Sequence, residues 1–130
     1  MSDKVFTLDE AIALLPAIRQ MLGEIQERKH DLEQRSERLD SLLASTSGNG
    51  HHATNVAAMR QELQGAATQL QQLMNELDAT GAVLKGIDDG LIDFPSMREG
   101  RVVYLCWRLG EETISFWHEL DTGFAGRRPL

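Results

Sequence analysis

The sequence predicts an α+β protein that is predominantly helical, a long antiparallel, coiled-coil-like helical hairpin capped by a small antiparallel β-meander. Three observations carry that expectation. Apolar residues recur at heptad spacing from Leu8 to Leu84 with one break, the period changes to two after Gly81, and Asp89-Gly90 and Gly110-Glu111 supply hairpin turns. At 130 residues the chain is the size of one domain, read as a hairpin over 7–82 with its tip at 45–52, a meander over 83–119 and a tail over 120–130.

The first helix opens on Thr7-Leu-Asp-Glu10, a capping box in which the Thr7 hydroxyl and the Glu10 carboxylate each satisfy a backbone donor of the other. Pro16 disfavours helical geometry at the residue before it and removes a donor. A short helix to Leu14 or Leu15 is therefore expected, then a kink or a restart. Beyond it Leu15, Leu22, Lys29, Ser36 and Leu43 share one heptad position, and Ile18, Ile25, Leu32 and Leu39 the other. Lys29 and Ser36 are the polar exceptions.

Ser45-Thr-Ser-Gly-Asn-Gly50 breaks the pattern, and adjacent His51 and His52 in this turn read as solvent-facing rather than as ligands. Val56, Leu63, Leu70, Leu77 and Leu84 then continue the repeat, with Met59, Ala66 and Leu73 beside them. Each helix would run about 45 Å at 1.5 Å per residue, so the two match in length. Leu14, Met21, Leu42, Ala67 and Met74 widen the stripe beyond a two-stranded seam. A wider stripe calls for another partner, so the helices are expected to self-associate as a homodimeric four-helix bundle.

After Gly81, Val83–Asp88 and Leu91–Phe94 read as strands around Asp89-Gly90, with Pro95 ending the second and 96–100 forming a loop. Residues 101–119 form the last hairpin, which makes four strands. With Gly110 as first central residue of a type II′ turn, Trp107 faces Ile114, Leu105 faces Phe116 and Val103 faces His118. This register separates an apolar face from one bearing Tyr104, Cys106, Arg108, Trp117 and Glu119, and a slip of one residue mixes them.

That register governs the chemistry. It puts Cys106 and His118 on opposite faces, which opposes both a zinc site and a nucleophilic Cys–His pair. No metal, cofactor or catalytic residue is therefore expected. The candidate ligand- or partner-binding residues are Tyr104, Arg108, Trp117, His118, Glu119 and Arg127. Aromatic surface beside a cation, an anion and hydroxyls suits a pocket wall or an interface rim, and an internal Arg108–Glu119 ion pair would explain the same residues.

Net charge is −7, of which −5 falls on residues 1–82. An acidic chain without a basic stripe excludes nucleic acid and anionic membrane as expected partners. Gly123-Phe-Ala-Gly126 has the GxxG spacing of KH domains but not their βααβ surroundings. One cysteine, no signal peptide and no long apolar run point to a cytoplasmic protein.

Several segments in order carry a resemblance: Phe6-Thr-Leu-Asp-Glu-Ala11 with Leu14-Leu-Pro16, Gly90-Leu-Ile-Asp-Phe-Pro95, Cys106-Trp-Arg-Leu-Gly-Glu111, Phe116-Trp-His-Glu119 and Gly123-Phe-Ala-Gly-Arg127. Over essentially the whole chain they resemble an uncharacterised bacterial and archaeal family, the domain of unknown function (DUF) 2203. The resemblance implies a small cytoplasmic protein with no assigned activity and no catalytic residues to carry over. The reading from the residues is an interaction or scaffold module that self-associates through its helices and offers the sheet face and tail to a protein partner. The alternative is a small-molecule-binding protein or enzyme with its site on the polar face of the 101–119 hairpin.

Overall fold

The computed structural model describes residues 4–45 and 50–130. Two helices, α1 (Leu8–Leu43) and α2 (Gly50–Ala79), pack together and are followed by strands β1 (Val83–Gly86), β2 (Leu91–Arg98), β3 (Arg101–Arg108), β4 (Phe116–His118) and β5 (Arg128–Pro129). The strands form one antiparallel sheet in sequential order. The α+β hairpin-and-meander expectation holds, with a fifth strand contributed by the tail. The expected tip at 45–52 falls largely on 46–49, which lie outside the described residues, as does the side chain of His51.

The capping box forms as the sequence requires. The Thr7 hydroxyl accepts from the Glu10 amide at 3.1 Å and the Glu10 carboxylate from the Thr7 amide at 2.8 Å. Thr7→Ala is expected to cost about 1 kcal/mol, read as a lowered urea midpoint at unchanged m-value. Pro16 does not divide the helix, contrary to expectation: α1 runs through it. Pro16 itself is exposed, while Leu15 and Ile18 beside it are fully buried. Apolar packing on both sides outweighs one lost backbone bond.

Ala11, Leu15, Ile18, Leu22 and Ile25 of α1 and Leu70 and Leu77 of α2 form one core with the sheet. Arg28 meets Gln69 and Arg35 meets Glu62 across the helices, which fixes an antiparallel alignment. Arg35 also pairs with Asp31 one turn earlier at 2.8 Å. Lys29, the polar break in the heptad, holds Asp88 at 2.9 Å, and Gln26 donates to the Ile87 carbonyl at 2.9 Å. Arg19 reaches the Glu112 carbonyl at 2.8 Å. Thus α1 uses polar residues on one side to pin the β1–β2 and β3–β4 loops.

Strand β2 continues past Pro95, contrary to the expectation that it ends there. Pro95 pairs with Tyr104, and its carbonyl accepts from the Phe6 amide on the other side. A residue's N–H and C=O point to the same side of a strand, so the missing donor faces an edge with no ladder to break. Glu99-Gly100, with φ of 51° and 78°, then makes the two-residue turn to β3.

The last hairpin is shifted by one residue from the expected register. Tyr104 pairs with His118, Leu105 with Trp117 and Cys106 with Phe116. The cause is the turn. The Glu111 amide donates to the Arg108 carbonyl, so Gly110, with φ of 105°, is the second central residue rather than the first. An irregular stretch then leads to β4, anchored where the Trp107 indole donates to the Glu111 carbonyl at 2.9 Å.

Candidate functional site

The shift redistributes the chemistry. Val103, Leu105, Trp107 and Trp117 face the helices, while Cys106, His118 and Phe116 share the outer face with Asp93, the cross-strand neighbour of Cys106. The expectation that Cys106 and His118 lie on opposite faces is overturned, and with it the geometric argument against a metal or a Cys–His pair. Adjacent strands β2, β3 and β4 each supply one polar side chain. Asp93, Cys106 and His118 are all buried, and their potential ligand atoms lie within 4.8 Å of one another.

His118 is held at both nitrogens. Nδ1 lies 2.7 Å from the Glu119 carbonyl, which can only accept, so Nδ1 carries a proton. Nε2 lies 3.0 Å from Asp93 Oδ2. One proton occupies that second bond, either as imidazolium with carboxylate or as neutral imidazole with carboxylic acid. Burial pushes the Asp93 carboxyl above the usual carboxylate range, opposed by the charge and hydrogen bond of His118. Burial, together with the charge of the neighbouring Asp93 carboxylate, pushes the Cys106 thiol up to about 11. With both imidazole nitrogens engaged elsewhere and the thiol protonated, the arrangement is not that of an activated nucleophile.

The C-terminal tail roofs the cluster. The Leu130 amide donates to the Ser115 carbonyl, β5 pairs with β4, and a short 3₁₀ turn spans Phe124–Gly126. Gly123 adopts φ 66° and ψ −169°, a conformation essentially reserved for glycine, and a Cβ on Gly126 would sit 2.6 Å from that of Thr122. The Gly123-Phe-Ala-Gly126 spacing therefore serves a tight tail. Beneath it is a cavity of about 90 Å³ lined by Asp93, Cys106 and His118 with Leu91, Leu120 and Phe124.

The six sequence-derived candidates do not form one site. His118 belongs to the cluster, and Tyr104 flanks it with ring centroids 5.5 Å apart, under the Lys85 ammonium at 4.6 Å. Arg127 borders it, pairing with Glu111 at 2.9 Å and stacking on Phe116 and Phe124. Trp117 lies on the other face, buried, with Arg98 stacked 4.4 Å from its centroid. The Arg108–Glu119 pair does not form. Glu119 takes a bidentate bond from Arg101, 2.8 Å on each oxygen, which holds its carboxyl below the ordinary range, and Arg108 is exposed beside Phe124. Asp93 and Cys106 complete the site, and Asp93 escapes notice in the sequence because Pro95 hides the full length of β2.

A helical hairpin carrying a five-stranded meander, with a buried polar cluster beneath its own tail, defines a small α+β protein with a candidate site between sheet and tail. The chain belongs to the family described as "Uncharacterized conserved protein (DUF2203)", whose match covers residues 4–130. No curated protein and no solved structure matches it. Among the described residues no helix is long and apolar enough to cross a membrane.

Proposed function

We propose that the protein is a binding protein for a small polar or ionic ligand, held in the cavity between the outer face of the sheet and the C-terminal tail. The observation that carries this is the convergence of Asp93, Cys106 and His118 from three adjacent strands onto one small cavity. Burying three such groups together is costly for a sheet that needs only apolar contacts under its tail, so a stability role alone accounts poorly for them. Native mass spectrometry of protein isolated from its own cells is expected to show a bound mass that is lost on denaturation. Leu91→Trp, which crowds the cavity, is expected to abolish it. Wild-type protein free of any bound mass would overturn the reading.

A second reading concerns the helices. Away from the sheet the seam residues Leu32, Met59, Leu63 and Ala66 are only half-buried, and Leu43 is 46% exposed. This supports self-association of the hairpin as a homodimeric four-helix bundle, a scaffold on which the sheet face could meet a protein partner. Sedimentation is expected to give a dimer at micromolar concentration, and Leu32→Glu with Leu63→Glu a monomer of unchanged helicity. A wild-type protein that is monomeric at that concentration would contradict it.

A further inference from the structure

We infer that Asp93, Cys106 and His118 bind one divalent transition-metal ion of the zinc class, leaving one coordination position open to the cavity. This rests on the reading of that cavity as a ligand site.

Size decides first between ligand classes. Pockets for drug-sized molecules hold roughly 300–1,000 Å³, whereas this cavity holds about 90 Å³. A water's share of liquid volume is about 30 Å³, so an ion with one or two waters fits and an organic cofactor does not.

The donor set points the same way. A thiolate, an imidazole and a carboxylate are the ligand types that zinc takes, and three protein ligands with a fourth open position is the arrangement of reactive rather than purely structural zinc. Magnesium and calcium, which prefer oxygen ligands throughout, are disfavoured by Cys106. Bonds of about 2.0–2.3 Å place tetrahedral ligand atoms roughly 3.3–3.8 Å apart. The present atoms lie within 4.8 Å of one another, with His118 Nε2 and Asp93 Oδ2 at 3.0 Å. Side-chain movements on the order of 1 Å therefore bring the set to bonding distance.

The surroundings are arranged for ligation. Metal-bound histidine usually donates its second nitrogen to a carbonyl or carboxylate, which fixes the ring. Here the Glu119 carbonyl takes Nδ1–H and aims Nε2 at Asp93 and Cys106. The positive charge of the Arg127 guanidinium acts on Cys106 and favours its thiolate. The charges also balance: one thiolate and one carboxylate neutralise a divalent ion, and binding releases two protons, the one that bridges Nε2 and Oδ2 and the one on the Cys106 thiol.

The test uses the full chain, stripped with chelator and titrated with Co²⁺ and then Zn²⁺ alone. One equivalent of Co²⁺ is expected to produce tetrahedral d–d bands and a thiolate-to-cobalt charge-transfer absorption, and one equivalent of Zn²⁺ to displace both. Cys106 is the only cysteine, so any such charge transfer reports on this site. Cys106→Ser is expected to lose that band, and Asp93→Asn to weaken affinity more than about 100-fold, since even outer-shell partners are worth 10–100-fold. Circular dichroism checks that both variants fold. Wild-type protein without the charge-transfer band overturns the inference, whatever the variants do. Native mass spectra showing an organic mass and no metal would overturn this inference while leaving the ligand-site reading intact. Spectra with no bound mass, together with no band, would overturn both.

Discussion

Replacing Trp107 by alanine is expected to destabilise the protein by about 3–5 kcal/mol, the range for deleting a fully buried large aromatic. Trp107 is fully buried near the C-terminal end of β3, the middle strand of the sheet, where it packs against the core shared by both helices. Its indole also donates to the Glu111 carbonyl, and Arg19 donates to the same loop from α1. The substitution thus empties a cavity and releases the anchor that sets where β4 begins. Trp107→Phe keeps most of the packing and loses mainly the hydrogen bond, about 1–2 kcal/mol. Denaturant unfolding of the two variants separates the contributions. A Trp107→Ala loss below about 1.5 kcal/mol would show that the core does not depend on this residue.

His118→Ala, measured in chelator-treated buffer, is expected to cost about 3–5 kcal/mol, because it strips Asp93 of its partner inside the protein. Asp93 and His118 are both nearly inaccessible, at 3% and 2% exposure, so each depends on the other as its hydrogen-bond partner. Coulomb attraction is not the source of this effect. A buried pair of this kind adds little net stability, and the penalty comes from leaving one buried polar group without its partner. The double variant Asp93→Leu with His118→Phe removes both polar groups and is expected to be more stable than His118→Ala. A double-mutant cycle with strictly additive losses would contradict the coupling.

The helical part of the fold is legible in the sequence because one periodicity governs it. Ala11, Leu15, Ile18, Leu22, Ile25 and Leu39 fall at heptad positions, and all are buried. Pro16 misleads only through its local preference, which the packing of Leu15 and Ile18 overrides. The sheet is less legible, for a physical reason. Hydrophobic segregation fixes register when one face meets water, but here the helices cover one face and the tail the other. Phe116 and Trp117 are both aromatic and sit on opposite faces, so the apolar pattern of 114–118 fits either register. Gly110 as second rather than first central residue makes the difference.

The candidate site was half visible. His118 and Cys106 stand out in the sequence as a possible pair, but the expected register puts them on opposite faces. Asp93 reads in the sequence as an ordinary residue of the short strand 91–94. A signal was present in Arg98-Glu-Gly-Arg101: a two-residue turn at Glu99-Gly100 places Asp93 opposite Cys106. Reading it required allowing Pro95 inside a strand whose outer edge needs no donor.

The register of β3 against β4 is the claim on which the site depends, and nuclear Overhauser contacts of His118 test it most directly. The structure predicts cross-peaks between the imidazole protons of His118 and the ring protons of Tyr104, whose centroids lie 5.5 Å apart, with Leu105 facing Trp117 across the strands. Contacts from His118 to Val103, with Leu105 facing Phe116, would place Cys106 and His118 on opposite faces and contradict the account.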